Sequence, residues 1–223
     1  MKKTNIAWTE YSWKPITGCK HGCPYCYVKR FDPVMKPTFY ANRLSEPQSI
    51  KKPSLIFTVN TGDMFGEWVP DQWIQDVLKV IRETPHHTYQ LLTKNPIKMR
   101  DYDMPDNVWA GTTVCKQEDI YRIAMLKRVN AKTRFISFEP IKDFIRYDYW
   151  DGIDWAIVGA ETEFNESTPK CELESKFFAK PLITSLTKAN VPLFVKPNLR
   201  WYKKIQEYPK VAQDLFGELA IGR

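Results

Sequence analysis

Glycine is scarce in this 223-residue sequence, 9 residues against 16 prolines, and no low-complexity tract, internal repeat or block of like charge is present. That pattern excludes a solenoid and offers no disordered tail or evident linker. Long apolar runs are missing too: the stretch 154–160 is about the longest, well short of the about 18 residues that a membrane span needs. Met1-Lys2-Lys3-Thr4 opens like an export signal, but Asn5, Thr9, Glu10 and Ser12 interrupt the apolar segment that such a signal requires. The expectation is therefore a cytoplasmic protein with no membrane partner. Only three histidines occur, and His86-His87 beside Pro85 read as loop or strand-edge residues with no case as metal ligands.

What is present is globular in composition, with 43% hydrophobic, 14% aromatic and 26% charged residues. The length favours a single domain over 1–223, with a core over about 1–198 and a C-terminal helical extension over 199–223. Lys and Arg number 33 against 26 Asp and Glu, a net charge of +7. The excess suits a polyanionic partner, although it is spread along the chain and not gathered in one arm.

Short β-rich runs alternate with helical periodicity. Strands are expected at 55–59, 89–93, 108–113, 134–138, 155–158 and 192–195, and helices at 71–83 and 117–129. Pro181 is expected to start or kink a further helix before the last strand. The strands are near-continuous apolar runs, as a parallel sheet buried on both faces requires. Their crossovers give a βα barrel or a doubly wound sheet. In either fold Asp63, Thr93, Thr112, Glu139, Glu161 and Lys196 follow strand ends and would meet at the C-terminal rim, where ligands bind. The plainer reading is that such residues are polar because they meet solvent.

Five cysteines is an odd number, and Cys19, Cys23 and Cys26 crowd into the span 19–26 as C-x3-C-x2-C. In a reducing compartment this speaks for metal and not for disulfides. Three soft thiolates on one loop suit zinc, copper(I) or iron–sulfur. A structural zinc site would need a fourth ligand from His21, Cys115 or Cys171. On a [4Fe–4S] cluster, three local thiolates leave one iron open.

The pattern C-x3-C-x-aromatic-C, met here by Cys19, Cys23, Tyr25 and Cys26, resembles the signature of the radical S-adenosylmethionine (radical SAM) superfamily. Further landmarks, among them Trp8-Thr9, Thr17-Gly18-Cys19, Asp63-Met64-Phe65-Gly66, Ile157-Val158-Gly159 and Phe194-Val195-Lys196, are similar to a phage-associated family of small proteins of unassigned function grouped with these enzymes. The resemblance implies an α/β fold, a partial (β/α)6 TIM-like barrel with mainly parallel strands and the cluster loop after its first strand. It implies a [4Fe–4S] cluster on Cys19, Cys23 and Cys26, S-adenosylmethionine on the open iron, and an external electron donor such as flavodoxin or ferredoxin. It also implies roles around the cofactor. Tyr25 is expected beside the adenine, and Thr61-Gly62-Asp63-Met64 stands where the family holds the methionyl ammonium, although one glycine and a Glu-Pro pair of the usual turn are missing. Thr112 and Thr113 are expected near the ribose or carboxylate unless they are plain strand residues. Gly159 would let backbone approach the adenine, with Glu161 after it at a shorter spacing than the family's. Glu139 and Lys196 would face the ribose, the carboxylate or a substrate phosphate, or else form a rim ion pair.

The substrate is read from composition alone. Eight Trp, eleven Tyr and the basic balance suit a nucleotide or single-stranded nucleic acid, and the segment 196–204 interleaves cations with aromatics, although a solvated helix start would look the same. The preferred function is modification or repair of a nucleobase or nucleic acid. A radical SAM enzyme acting on a peptide or small metabolite is one alternative, and a non-catalytic zinc-stabilised nucleic-acid-binding module is the other.

Overall fold

A computed structural model describes residues 1–161 and 169–212, without the side chains of 169–174. The chain divides into two compact units. The first holds Met1–Thr112 and Arg128–Lys132, and the second holds Thr113–Lys127 and the chain from Thr133 onward.

In the first unit β1 (Lys2–Lys3) lies antiparallel to β2 (Tyr11–Trp13), and a separate small pair joins β3 (Ile16–Thr17) to β4 (Thr38–Phe39). β5 (Leu55–Thr58) runs parallel to β2, helix α1 (Asp71–Glu83) follows, and β6 (Thr88–Thr93) returns parallel to β5. After the short α2 (Pro96–Met99), β7 (Val108–Thr113) lies parallel to β6. Strands β5 and β7 are buried at every position, as sheets covered on both faces demand. Helix α1 forms where expected because Ile74, Val77, Leu78 and Ile81 make one apolar face, all fully buried. Asp71 in its first turn and Arg82 in its last complement the helix dipole.

Strand β2 had no run of apolar residues to announce it. It forms because its neighbours supply the ladder: Glu10 N–H donates to Leu55 O at 3.1 Å and Val59 N–H to Trp13 O at 2.8 Å. Trp13 is fully buried, and its Nε1 donates to Arg43 O at 2.7 Å, which ties the segment after β4 to the sheet. The cysteine loop therefore follows the first parallel strand, as the resemblance implied.

The second unit contains α3 (Tyr121–Leu126), β8 (Thr133–Phe138), β9 (Trp155–Val158), α4 (Pro169–Lys188) and β10 (Leu193–Val195). β9 is the middle strand, parallel to both β8 and β10. The helix expected over 117–129 is shorter. A 3-10 turn at Gln117–Ile120 precedes α3, because Asp119 turns its Oδ2 back to accept from the Cys115 N–H at 3.0 Å and pairs with Arg122. Pro181 lies inside α4 and does not start it. Of the helical extension expected over 199–223, only residues 210–212 are helical among the described residues, and residues 200–209 are not. They return along β10, with Val195 N–H donating to Ile205 O at 2.8 Å and Glu207 N–H to Leu193 O at 2.9 Å, and Tyr208 stacks on the fully buried Trp155 at 5.4 Å. Residues 213–223 of that extension lie outside the described residues.

The fold is thus α/β with mainly parallel strands. β1 and β10 each have one partner strand among the described residues, so the strands stop short of a closed barrel. Among the described residues no helix is long and apolar enough to cross a membrane.

Candidate functional site

The cysteine loop is shaped by three glycines. Gly18 has φ +82, and a Cβ there would stand 2.2 Å from Lys36 O. It bridges to Gly62, whose own Cβ would stand 2.8 Å from Gly18 O, and its N–H donates to Thr61 O at 3.1 Å. The two backbones touch because neither residue carries a side chain. The loop thereby leaves β3 against the turn that follows β5. Gly22, at φ +69, has open space about it, so it serves conformation alone, reversing the chain between His21 and Cys23.

Further backbone bonds hold the loop's course. Cys19 N–H donates to Met35 O at 3.0 Å and Cys26 N–H to Cys23 O at 3.3 Å, before the 3-10 turn Tyr27–Arg30. Tyr27 Oη donates to Asn60 O at 3.2 Å, and Asn60 Oδ1 accepts from Ser12 of β2 at 2.8 Å. Cys19, Cys23 and Cys26 are free, half-buried thiols, with Cys26 Sγ 4.0 Å from Met35 Sδ. Burial pushes the Cys19 thiol up to about 11, with the Asp63 and Cys23 charges adding to the rise against the His21 N–H and Lys94. Such a sulfur becomes a thiolate when a bound cation supplies the compensating charge.

The donor set fits an iron–sulfur cluster: three soft, accessible sulfurs on one pinned loop. Among the described residues no three His, Cys, Asp or Glu side chains are already gathered round one point, and a tetrahedral zinc on the three thiols would need a fourth ligand to close it. Two of the three possible fourth zinc ligands are engaged elsewhere. His21 is bonded to Asp63, Cys115 is buried in the second unit with its Sγ donating to Glu139 O at 3.5 Å, and the Cys171 side chain is outside the described residues.

Asp63 is 4% exposed, and four donors surround it. Oδ1 accepts from Phe65 N–H at 3.0 Å and Thr93 Oγ1 at 2.6 Å; Oδ2 accepts from His21 Nε2 at 2.6 Å and Lys94 N–H at 2.9 Å. Burial opposes its ionisation, but the His21, Thr93 and Lys94 bonds outweigh that and hold the carboxyl below its ordinary range. Thr112, fully buried in β7, donates its hydroxyl to Thr93 O at 2.9 Å. Polar strand ends here are not polar because they meet solvent; Thr112, Thr93, Asp63 and His21 form one hydrogen-bonded chain from β7 to the cysteine loop. Tyr25 lies near Lys94, whose Nζ is 5.8 Å from its ring centre.

A second group of expected residues lies within the second unit. Glu139, joined to Pro140 by a cis peptide bond, pairs with Lys196. A Cβ on Gly159 would stand 3.0 Å from Lys196 Cδ and 3.3 Å from both Asn198 Oδ1 and Glu139 Cδ, so this glycine forms the floor of a polar nook. Asn198 Nδ2 donates to Ala160 O at 2.8 Å, whereas its buried Oδ1 has no partner. Glu161 is bound to Lys142. Thr113, nearly buried, offers its carbonyl to Arg122 Nη1 at 2.9 Å. Asn198 was not singled out from the sequence, nor was the engagement of His21 with Asp63.

The segment 196–204 is irregular, with a 3-10 turn at Pro197–Leu199 and a left-handed Arg200 at φ 47, so it is not a helix start. Tyr202 is 86% exposed beside Trp201, with Lys203 and Lys204 exposed next to it.

A family model described as a protein of unknown function (DUF5131) matches residues 3–218. No curated protein matches the chain. Solved structures of spore photoproduct lyase are similar in fold. The enzyme complexed with dinucleoside spore photoproduct gives a TM-score of 0.54 at 14% identity, over 97% of this chain and 63% of that one. A double mutant with bound AdoMet and the same dinucleoside gives 0.53 at 14% identity, over the same shares. A single mutant gives 0.54 at 14%, over 87% and 57%. The chain thus spans less than two thirds of the length of the enzyme it resembles, and the likeness is one of fold.

Proposed function

The chain belongs to the family described as a protein of unknown function (DUF5131), and from that footing we propose that it is a radical SAM enzyme acting on a nucleobase, nucleotide or nucleic acid. The observation that carries the reading is the loop itself: three free, part-accessible thiols on a segment locked by backbone contact at Gly18 and Gly62. Cys19, Cys23 and Cys26 hold a [4Fe–4S] cluster and leave one iron for S-adenosylmethionine. When bound, that pair supplies reductive cleavage to a 5′-deoxyadenosyl radical, which takes hydrogen from substrate.

The chain's own residues bind, orient and exclude water. Tyr25 offers a ring next to the last ligand, and Gly62, in backbone contact with Gly18, brings the turn after β5 against the cysteine loop. Thr112 acts through Thr93, since its hydroxyl is already given to that carbonyl. In the second unit, the nook of Glu139, Gly159, Lys196 and Asn198 combines an anion, a cation and an unpartnered amide oxygen, a set suited to a hydroxyl- and amine-bearing ligand such as a nucleoside. Thr113 and Glu161 stay with this group as lesser candidates, Glu161 through its pair with Lys142.

Nucleic acid as the substrate class is supported by the net charge of +7 and by exposed Tyr202 flanked by Lys203 and Lys204. The fold neighbours, structures of an enzyme complexed with a dinucleoside photoproduct, lend it further support. Electrons would come from a flavodoxin or ferredoxin. The test is to incubate reconstituted, reduced protein with S-adenosylmethionine and measure 5′-deoxyadenosine with and without oligonucleotides, nucleosides and peptides. Formation stimulated by oligonucleotide or nucleoside supports the reading. Stimulation by peptide alone moves the substrate class, and no formation with any electron donor overturns the chemistry.

A further inference from the structure

Asp63 has four acceptor positions, and four donors fill them. An ionised carboxylate accepts and cannot donate, so His21 must carry its proton on Nε2 and donate to Oδ2 at 2.6 Å. Three of the four donors, Phe65 N–H, Thr93 Oγ1 and Lys94 N–H, belong to the turn after β5 and the end of β6, so the carboxylate is fixed by the sheet. The fourth comes from the middle of the C-x3-C spacer. His21 is also seated edge-on against Trp68, ring centres 4.9 Å apart, and Trp68 in turn covers Gly66, where a Cβ would stand 2.3 Å from its ring. His21 is thus held on two sides by groups that do not belong to its loop.

We infer that His21 is a positioning residue whose bond to Asp63 sets the course of the Cys19–Cys23 spacer before any cluster is bound, and that Asp63 is the anchor of this loop and not the partner of an incoming ammonium group. A fifth donor at Asp63 would have to displace one of the existing four. The inference rests on the proposed function only for what the loop holds; the anchoring itself is a property of the bare chain.

The experiment compares wild type, His21→Ala, His21→Gln and the remote surface control Lys132→Ala. Amide hydrogen exchange of peptides covering 17–26 is measured on the apoprotein, followed after anaerobic reconstitution by the rate of iron loss to a chelator and the EPR spectrum of the reduced state. His21→Ala is expected to speed exchange of the Cys19 amide, which donates to Met35 O at 3.0 Å, by about tenfold, the effect of losing one charge-assisted hydrogen bond. It should speed iron loss similarly and alter the spectrum. His21→Gln, which can still donate to Asp63, should recover part of each change, and Lys132→Ala should leave all three as in wild type. Exchange in His21→Ala within about twofold of wild type overturns the anchoring. If the loop loosens in His21→Ala but wild type takes up no iron and sulfide, the anchoring stands and the cluster reading fails. If wild type holds a cluster that His21→Ala retains equally well with unchanged exchange, the cluster reading stands and the anchoring fails.

Discussion

Replacing Asp63 by Asn tests the energetic core of the site in a near-isosteric way. The amide keeps one acceptor oxygen and puts an NH2 group where the other stood. At the Oδ2 position that group meets His21 Nε2 and Lys94 N–H, and at the Oδ1 position it meets Phe65 N–H and Thr93 Oγ1. Either orientation leaves a backbone N–H facing a donor. A rotated Thr93 hydroxyl or a changed His21 tautomer can recover one contact, but the backbone group cannot turn. Hydrogen bonds to a charged group contribute about 1.5–3 kcal/mol each, so Asp63→Asn should lower stability at pH 7 by about 3 kcal/mol. The pH dependence has a definite sign. Because the folded carboxyl titrates below its ordinary value of 3.8, its contribution is complete above that value and is lost as pH falls through the lower folded-state value. Urea unfolding should therefore show the gap between wild type and Asp63→Asn narrowing as pH falls below 3.8. A difference under about 1 kcal/mol at pH 7 would refute the account of a saturated, ionised Asp63, as would a gap that does not narrow below pH 3.8.

Gly18→Ala forces φ +82 on a residue with a Cβ and drives that Cβ to 2.2 Å from Lys36 O; the loop must move, and iron uptake after reconstitution should fall below half that of wild type. Gly159→Ala meets Lys196 Cδ at 3.0 Å and can be met by a shift of that flexible side chain. Because Asn198 Oδ1 and Glu139 Cδ also stand 3.3 Å away, it should cost about 1–3 kcal/mol in stability while weakening nucleoside or S-adenosylmethionine binding in calorimetry. Undiminished binding would remove the nook from the site. Trp13→Phe loses the Nε1 bond to Arg43 O at 2.7 Å and part of a fully buried ring, and thermal unfolding should report a loss of about 1–3 kcal/mol.

Strands β5, β7 and β9 were readable because each is a continuous apolar run, and α1 because its four apolar positions repeat at helical spacing. Strand β2 was not: Tyr11-Ser12-Trp13 has no such run and owes its conformation to bonds from Glu10 and Val59. The helix expected over 117–129 shrank because Asp119 spends its side chain on Cys115 N–H, a competition that local propensity does not register. The same contrast holds at the site. The cysteine triplet stands out from three residue types at fixed spacing, whereas His21 and Asp63 are 42 residues apart and meet only once β5 and the cysteine loop are folded together. Among the strand-end residues, position was legible and so was a rim ion pair at Glu139 and Lys196, which the fold forms, whereas the pairing of Glu161 with Lys142 and of Thr112 with Thr93 required the fold.

The cofactor assignment stands or falls on metal analysis of the anaerobically reconstituted wild-type chain, joined to the EPR spectrum of its reduced form before and after S-adenosylmethionine is added. The account predicts about four irons with matching acid-labile sulfide per chain, and a signal that changes when the sulfonium ligand binds. A colourless protein holding one zinc, or a reduced cluster whose spectrum is indifferent to S-adenosylmethionine, would contradict it.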